Sequence, residues 1–138
     1  MPTQLNPYLN FRGEAREAMN FYQSVFGGEL NVMTFGDMGG MGVPESEAGQ
    51  VMHSALAVSP TVNLFGSDVP SHMPGDFTNG RISLSGDDAD TLRGWFEGLS
   101  SGGTVNVPLD KAPWGDWFGD LTDRFGVSWM VNIAGGEG

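Results

Sequence analysis

His53 is the first side chain in this sequence that could do chemistry. The chain has two histidines, His53 and His72, and an imidazole exchanges its proton near neutral pH, which suits a general base. His53 lies in an apolar, β-prone run, residues 51–58, whereas His72 lies in a connection containing Pro and Gly, residues 68–80. A strand histidine and a solvent-facing loop histidine are more often structural. The general-base role of His53 stays open.

Arg81 is the second candidate, because its planar guanidinium can bind a carboxylate or a phosphate. The chain carries 17 acidic and 6 basic residues, a formal net charge of −11. On so acidic a chain, Arg81 could equally pair with an internal Asp or Glu. The sequence does not choose between these two roles.

Three aromatic residues, Trp114, Trp117 and Phe118, form a predicted cluster with Asp116 among them. Such rings suit stacking on a flat or cationic ligand. Aromatic clusters also pack in cores and anchor dimer interfaces. Packing is the simpler interpretation, and ligand contact stays a hypothesis.

Thiol chemistry is excluded, because the chain has no cysteine. Disulfides, thiolate zinc sites and thiol nucleophiles are therefore impossible. A site of two histidines and one carboxylate would require His53 and His72 to converge with an acid such as Asp68. We do not predict that convergence.

The charge of −11 also limits the partners. It repels phosphate backbones and anionic lipid headgroups, so we predict no nucleic acid and no membrane partner. It would concentrate cationic small molecules, although an acidic surface more simply serves solubility. The amino terminus lacks a basic and apolar leader, and no apolar run approaches the roughly 20 residues of a membrane span. We predict a cytoplasmic protein.

The first half of the chain reads as βαβββ. Residues 5–11 alternate in the period of a strand, and apolar residues from Ala15 to Phe26 recur at helical spacing before Gly27 and Gly28. Three further strand-like runs follow at residues 30–35, 51–58 and 62–65.

The second half repeats this order after about 75 residues. A strand is predicted at residues 81–85, and Asp87 or Asp88 is a plausible N-cap for a helix that carries Leu92 and Leu99. Strand-like runs follow at residues 104–107, 117–122 and 127–133. At 138 residues we predict one α+β domain, with a first module at about residues 4–68 and a second at about 79–134.

Three segments of the chain resemble PhnB-like proteins of the glyoxalase, bleomycin resistance and dioxygenase (vicinal oxygen chelate) superfamily. They are LNPYLNFRGEAREAMNFYQSVFGGEL at residues 5–30, VMHSAL at 51–56 and WGDWFGDLTDRFGVSWMVNI at 114–133. The third is the most specific. The resemblance implies two βαβββ modules whose curved mixed sheet encloses a cavity, usually completed in a homodimer.

The resemblance leaves the activity open. Some superfamily members are metal-dependent isomerases, dioxygenases or thiol transferases, and others bind an antibiotic without chemistry. PhnB-like members often carry a methyltransferase name. The sequence does not support that name, because no strand is followed by a glycine-rich turn and a helix that would hold the cofactor. We predict no cofactor.

Metal-using members place His, Gln or Glu on the first and last strands of each module. The corresponding positions here are Asn6, Asn63, Arg81 and Met130. Arginine is permanently cationic and methionine sulfur is soft, so neither suits a hard divalent ion. We predict no metal site.

Strand alternation assigns side chains to two faces. The residues predicted to face the helices are Leu9, Phe11, Ile82, Leu84, Trp129 and Val131. The residues predicted to line the concave wall are Asn6, Tyr8, Asn63, Phe65, Arg81, Ser83, Ser128 and Met130. A mixed polar and aromatic wall suits a small-molecule site, although the same side chains could fill the interior or face a dimer partner. The loop at residues 36–49, with Met38 and Met41, is either a lid or simply mobile.

The leading hypothesis is therefore a protein that binds a small molecule of unknown identity, without a metal, in the cavity between its modules. Its predicted ligand-binding residues are Asn6, Tyr8, His53, Asn63, Phe65, Arg81, Ser83, Trp114, Trp117, Phe118 and Met130. The alternatives are a metal-dependent enzyme of the superfamily, metal-free acid–base catalysis involving His53 or Arg81, and an interaction-only dimeric domain. A homodimer is expected in any case. Whether the chain catalyses a reaction is left open.

Overall fold

The structure, a computed structural model, describes residues 5–40, 42–71 and 79–135. His72 and Met41 lie outside the described residues. The chain divides into two compact units, residues 1–79 and 80–138, and each has the order βαβββ. The predicted α+β fold of two such modules is confirmed, and its strands form two four-stranded sheets.

The first unit contains one helix and four strands. Its elements are β1 (Tyr8–Phe11), α1 (Ala15–Phe26), β2 (Glu29–Thr34), β3 (Val51–Ser59) and β4 (Val62–Asp68). The strand order is β1-β4-β3-β2. The β1–β4 pair is parallel and the other two pairs are antiparallel. The last strand therefore lies beside the first, and α1, β2 and β3 form the connection between them.

Packing holds α1 on one face of this sheet. Four members of the predicted helical stripe are buried, namely Ala15, Ala18, Met19 and Tyr22, and the fifth, Phe26, is half-buried. Gly28 follows the helix with φ 93°, and a Cβ there would lie 2.4 Å from the carbonyl oxygen of Ala57. Only glycine allows the chain to turn so closely against β3.

Asp68 connects three elements of the first unit. Its carboxylate accepts hydrogen bonds from the backbone N–H groups of Gly13 at 2.7 Å, Ala15 at 2.9 Å and Val51 at 2.9 Å. The residue is 3% exposed. It therefore satisfies donors at the start of α1 that lack helical partners, and it fixes the start of β3.

The second unit repeats the architecture. Its elements are β5 (Arg81–Gly86), α2 (Ala89–Ser100), β6 (Thr104–Lys111), β7 (Trp117–Thr122) and β8 (Ser128–Ile133). The strand order β5-β8-β7-β6 matches that of the first unit strand for strand, with a parallel β5–β8 pair.

The second helix is capped locally. Asp88, one of the two predicted caps, accepts from the Thr91 N–H at 3.1 Å and from its hydroxyl at 2.8 Å. Both hydrogen bonds lower the pKa of Asp88 below its ordinary value of 3.8, and the bond from the Thr91 N–H has the larger effect. The helix buries Leu92, Phe96 and Leu99.

Some predicted element boundaries shift. β1 begins at Tyr8 rather than residue 5, and the first ladder bond beside it runs from the Phe65 N–H to the Pro7 carbonyl. β6 continues to Lys111 through Pro108. Proline is tolerated there because β6 is an edge strand, and two register shifts interrupt its pairing with β7.

The predicted helix-facing residues are buried. Leu9, Phe11, Ile82, Trp129 and Val131 are all at most 9% exposed, and Leu84 is half-buried. Among the described residues, neither of the two 12-residue helices is long and apolar enough to cross a bilayer.

The described part of the loop at residues 36–49 is hydrogen-bonded rather than featureless. It contains two short 3-10 helices, Gly36–Met38 and Glu45–Glu47. The Gly36 N–H donates to the Ala48 carbonyl at 2.8 Å, and the Glu47 carboxylate accepts from the N–H and hydroxyl of Ser71. A lid role for this loop stays a prediction.

Candidate ligand-binding faces

The first unit carries three rings on the sheet face opposite α1. Tyr8, His53 and Phe65 come from β1, β3 and β4, which are adjacent in the sheet, and we call them the ring cluster. Tyr8 pairs directly with Phe65. Side chains alternate along strands, and the neighbouring Leu9 and Leu64 are buried towards the helix. The three rings therefore lie on the sheet face away from the helix, which we call the outer face of each unit and which corresponds to the predicted concave wall.

The ring cluster is compact. Tyr8 Oη and His53 Nδ1 are 3.3 Å apart, and their rings stack at 5.8 Å with an interplanar angle of 28°. Phe65 presents an edge-to-face arrangement to both, at 6.4 Å from Tyr8 and 5.5 Å from His53. These centroid distances are those of interacting aromatic pairs.

The cluster is also accessible. Tyr8 is 43% exposed, and His53 and Phe65 are half-buried. Met33 on β2 pairs with His53 and is 40% exposed. The face therefore offers ring surface, a phenol, an imidazole and an adaptable thioether.

The sequence placed Tyr8 and Phe65 on one wall and named His53 separately, and the structure brings all three together. Met33 was missed. Met33 lies opposite His53 and therefore shares its face, but only the β2–β3 register of the folded chain brings the two residues together.

Asn6 and Asn63 were predicted on the same wall as Tyr8 and Phe65. They precede Tyr8 and Phe65 by two residues, and the alternation of a strand therefore places Asn63 on the outer face with Phe65. Both are half-buried. Their amides add neutral donors and acceptors.

The outer face of the second unit is dominated by an ion pair. Arg81 Nη2 contacts Asp120 Oδ2, and the other oxygen of Asp120 accepts from Asn106 Nδ2 at 3.1 Å. The Arg81 side chain is 54% exposed, whereas that of Asp120 is 10% exposed. Of the two roles that the sequence left open for Arg81, the structure shows pairing with an internal acid.

Hydroxyl and thioether groups surround this ion pair. Arg81 pairs with Ser128, and Ser83 pairs with Met130. Met130 in turn pairs with Asp120 across β7 and β8. Arg81, Ser83, Ser128 and Met130 therefore share one face, as the alternation predicted.

The predicted aromatic cluster of Trp114, Trp117 and Phe118 is divided by the structure. Trp114 and Phe118 contact each other at 6.1 Å. Trp117 instead pairs with Ile133, which is 2% exposed. That prediction was wrong for Trp117, because consecutive strand residues point to opposite faces.

Trp117 lies on the α2 side of its sheet. The Arg93 guanidinium of α2 lies 4.7 Å from the centroid of its indole ring, a cation–π contact. Trp114, by contrast, is 64% exposed. The aromatic surface that this unit presents away from α2 is therefore that of Trp114 and Phe118, and ligand contact by any of the three rings stays a prediction.

Asp116 has a structural role beside these rings. Its carboxylate accepts from Asn132 Nδ2 at 3.0 Å and from the Gly135 N–H at 2.8 Å. Both hydrogen bonds lower the pKa of Asp116, and the bond from Asn132 has the larger effect. Both oxygens therefore connect the start of β7 to the end of β8.

The described residues do not fit a metal of the kind that some superfamily members use. They contain no group of three His, Cys, Asp or Glu side chains placed to hold an ion. Arg81 is a fixed cation and Met130 a soft donor, and both oxygens of Asp68 are occupied by backbone N–H groups.

Comparison with known proteins gives the family. The sequence model of the "Glyoxalase/Bleomycin resistance protein/Dioxygenase superfamily" matches residues 4–131. Protein YjdN of Escherichia coli K12 is 31% identical over 94% of this chain and 95% of its own length.

Solved structures agree with this likeness. Protein PA1353 of Pseudomonas aeruginosa superposes with a TM-score of 0.82 at 36% identity, over 96% of this chain and 98% of that one. A PhnB protein from Bacillus cereus gives a TM-score of 0.73 at 26% identity, over 96% of this chain and all of that one. The chain belongs to the glyoxalase, bleomycin resistance and dioxygenase superfamily, and it resembles its PhnB-like members.

Proposed function

We propose that this chain binds a small molecule by stacking a flat group on the ring cluster of Tyr8, His53 and Phe65. The observation that carries the proposal is that three rings lie next to one another on an accessible sheet face, with centroids 5.5 to 6.4 Å apart. A favourable aromatic contact adds about 0.5–1.5 kcal/mol beyond the area it buries. A ligand ring would make more than one such contact here.

Polar groups at the edge of the cluster would orient the ligand. The Tyr8 hydroxyl and the His53 imidazole are 3.3 Å apart, and each can donate or accept a hydrogen bond. Binding sites commonly combine apolar surface with a few placed polar groups in this way. The charge of −11 favours neutral or cationic ligands over anions at this face.

The proposal can be tested with simple probes at pH 8. Benzamide is a flat neutral probe, cyclohexanecarboxamide its saturated counterpart, and N-methylquinolinium a flat cation. Binding is followed by the NMR resonances of the Met33 methyl group and the His53 ring. We expect saturable binding of the two flat probes, tighter for the cation, and much weaker binding of the saturated amide.

Matched variants locate the contact. Tyr8→Ala and Phe65→Leu should weaken benzamide binding about three- to tenfold, the equivalent of roughly 0.7–1.4 kcal/mol. Phe118→Leu removes a ring from the second unit and should leave the affinity unchanged. Equal losses in all three variants, or equal binding of the saturated amide, would refute the proposal.

Metal-free proton transfer is a second candidate function, favoured by the contact between Tyr8 Oη and His53 Nδ1. An imidazole next to a phenol can take a proton from a bound ligand. A His53→Gln variant that retains every measured turnover would dismiss it.

Metal dependence and dimerisation can be decided directly. Stoichiometric uptake of zinc, nickel, manganese or iron would favour the alternative hypothesis of a metal-dependent enzyme. The homodimer implied by the family stays a prediction, and sedimentation showing only monomer at micromolar concentration would contradict it.

A further inference from the structure

The ion pair of the second unit is unevenly exposed. Asp120 is covered, with 10% of its side chain accessible, whereas 54% of Arg81 is accessible. Asn106 occupies the second oxygen of Asp120. What a ligand meets at this place is therefore the cation, although the chain as a whole is acidic.

The guanidinium is oriented but not used up. One of its nitrogens, Nη2, contacts Asp120, and an arginine carries five N–H donors. A guanidinium held by a buried carboxylate loses less side-chain freedom when it binds a further group, because it is already ordered.

Two serines complete the surroundings. Ser128 is the Cα partner of Arg81 on the neighbouring strand, where adjacent strands lie about 4.8 Å apart. Ser83 follows Arg81 by two residues on the same face, roughly 6.6 Å along the strand. Ser128 lies on β8, the strand that the Arg81 side chain crosses to reach Asp120, so its hydroxyl is the better placed to donate to an oxygen near the guanidinium, and Ser83 borders the same face.

We propose that Arg81, Ser83 and Ser128 form a binding site for an oxyanion, a carboxylate or a phosphate group of a small molecule. Planar guanidinium donors and hydroxyls match the oxygens of such groups. Arg81 is one of the positions at which the resemblance implies a metal ligand in metal-using members, and the proposed site would bind an anion there instead. It does not depend on the ring cluster.

Titration with three small probes tests the site in the whole protein. Methylphosphonate and acetate represent the two oxyanion sources, and acetamide is the neutral counterpart of acetate. The Met130 methyl resonance and the Arg81 Nε–H signal report binding. We expect saturable chemical-shift changes with one or both anions and none with acetamide. The anion that binds more tightly shows whether the site prefers a phosphate or a carboxylate group.

Three variants place the binding. Arg81→Gln should weaken it at least tenfold, and Ser128→Ala about twofold to fivefold. Arg93→Gln removes the same charge from α2 of the same unit and should change the affinity less than twofold. The double variant Arg81→Gln with Asp120→Asn keeps the net charge, avoids an unpaired buried carboxylate and should also lose binding.

The outcomes that overturn the site are distinct. Absence of saturable shifts in the parent protein, or equal losses in Arg81→Gln and Arg93→Gln, would make Arg81 and Asp120 a structural ion pair only. Benzamide binding at the ring cluster should persist in Arg81→Gln, so failure of this site and failure of the proposed function can be told apart.

Discussion

The two units share a strand order but differ in how they begin their helices. In the first unit, Asp68 at the end of β4 accepts from the Ala15 N–H, and Glu14 at the N-cap makes no side-chain capping bond. In the second unit, Asp88 caps α2 from the adjacent position. One helix start therefore depends on tertiary structure and the other on local sequence.

The outer sheet faces differ as well. The first unit presents three clustered rings and the second an ion pair, whereas the helix-facing sides of both are mainly apolar and largely buried. Packing against a helix restricts side chains to apolar shapes that fit. The outer face carries no such restriction, and it is where the two units acquire different chemistry.

The largest expected effect is that of Asp68→Ala. It leaves three backbone N–H groups without their acceptor, and each unsatisfied buried donor costs about 1–3 kcal/mol. We expect the free energy of unfolding to fall by at least about 3 kcal/mol, measured by urea denaturation. Asp87→Ala, an exposed neighbour of the local cap, is the control, and a loss below about 1 kcal/mol for Asp68→Ala would contradict the long-range cap.

Gly119→Ala should follow in size. An added Cβ would lie 2.7 Å from the Phe96 ring and 3.1 Å from the Leu109 Cα, whereas at Gly66 it would lie 3.1 Å from the flexible Met19 Sδ. Overpacking of this kind costs about 1–3 kcal/mol. We expect Gly119→Ala to lower the thermal midpoint more than Gly66→Ala, and the reverse order would show that the second unit packs its helix more loosely.

The different environments of Trp117 and Trp114 predict a smaller difference in the free energy of unfolding. Trp117→Leu removes a half-buried ring beneath Arg93, so we expect a loss of about 1–2 kcal/mol in denaturant unfolding. Trp114→Leu changes a ring that is 64% exposed, and surface changes usually stay within about 0.5 kcal/mol. Equal losses in the two variants would contradict the different environments of the two rings.

The smallest effect concerns the local cap of α2. The pKa of Asp88 is lowered from 3.8 in the folded chain, so its contribution is present above that value and is lost as the pH falls through the folded pKa. Asp88→Ala should therefore lower the thermal midpoint modestly at pH 7, and the difference from the parent should disappear at pH values well below 3.8. A difference that persists unchanged at low pH would exclude the charged cap.

Much of the fold could be predicted from the sequence. Periods of two and of 3.6 residues are local, and they predicted the helix from Ala15 to Phe26 and the buried positions of Leu9 and Trp129. Element ends were less certain, as β6 shows by continuing through Pro108. Proline signals a strand end in a central strand but not at an edge, and only the sheet order reveals which strand is at the edge.

The candidate sites were predictable in part. Alternation alone placed Arg81 with Ser83, because both lie on one strand and the pleat of that strand decides their face. Tyr8 and Phe65 lie on different strands, so placing them on one wall also needed the fold that the resemblance implies. Alternation should also have separated Trp117 from Phe118, and adjacency in sequence misled the interpretation there.

The sequence by itself determined which residues lie on the sheet face opposite the helices, since that depends on position along a strand. Only the tertiary structure decided which of them meet, because pairing across strands joins residues far apart in the chain. Tyr8 and His53 are 45 residues apart. Arg81 on β5 reaches Asp120 on β7 only because β8 alone separates these two strands in the sheet. Contacts of that range depend on strand order and register, which no local pattern of residues contains.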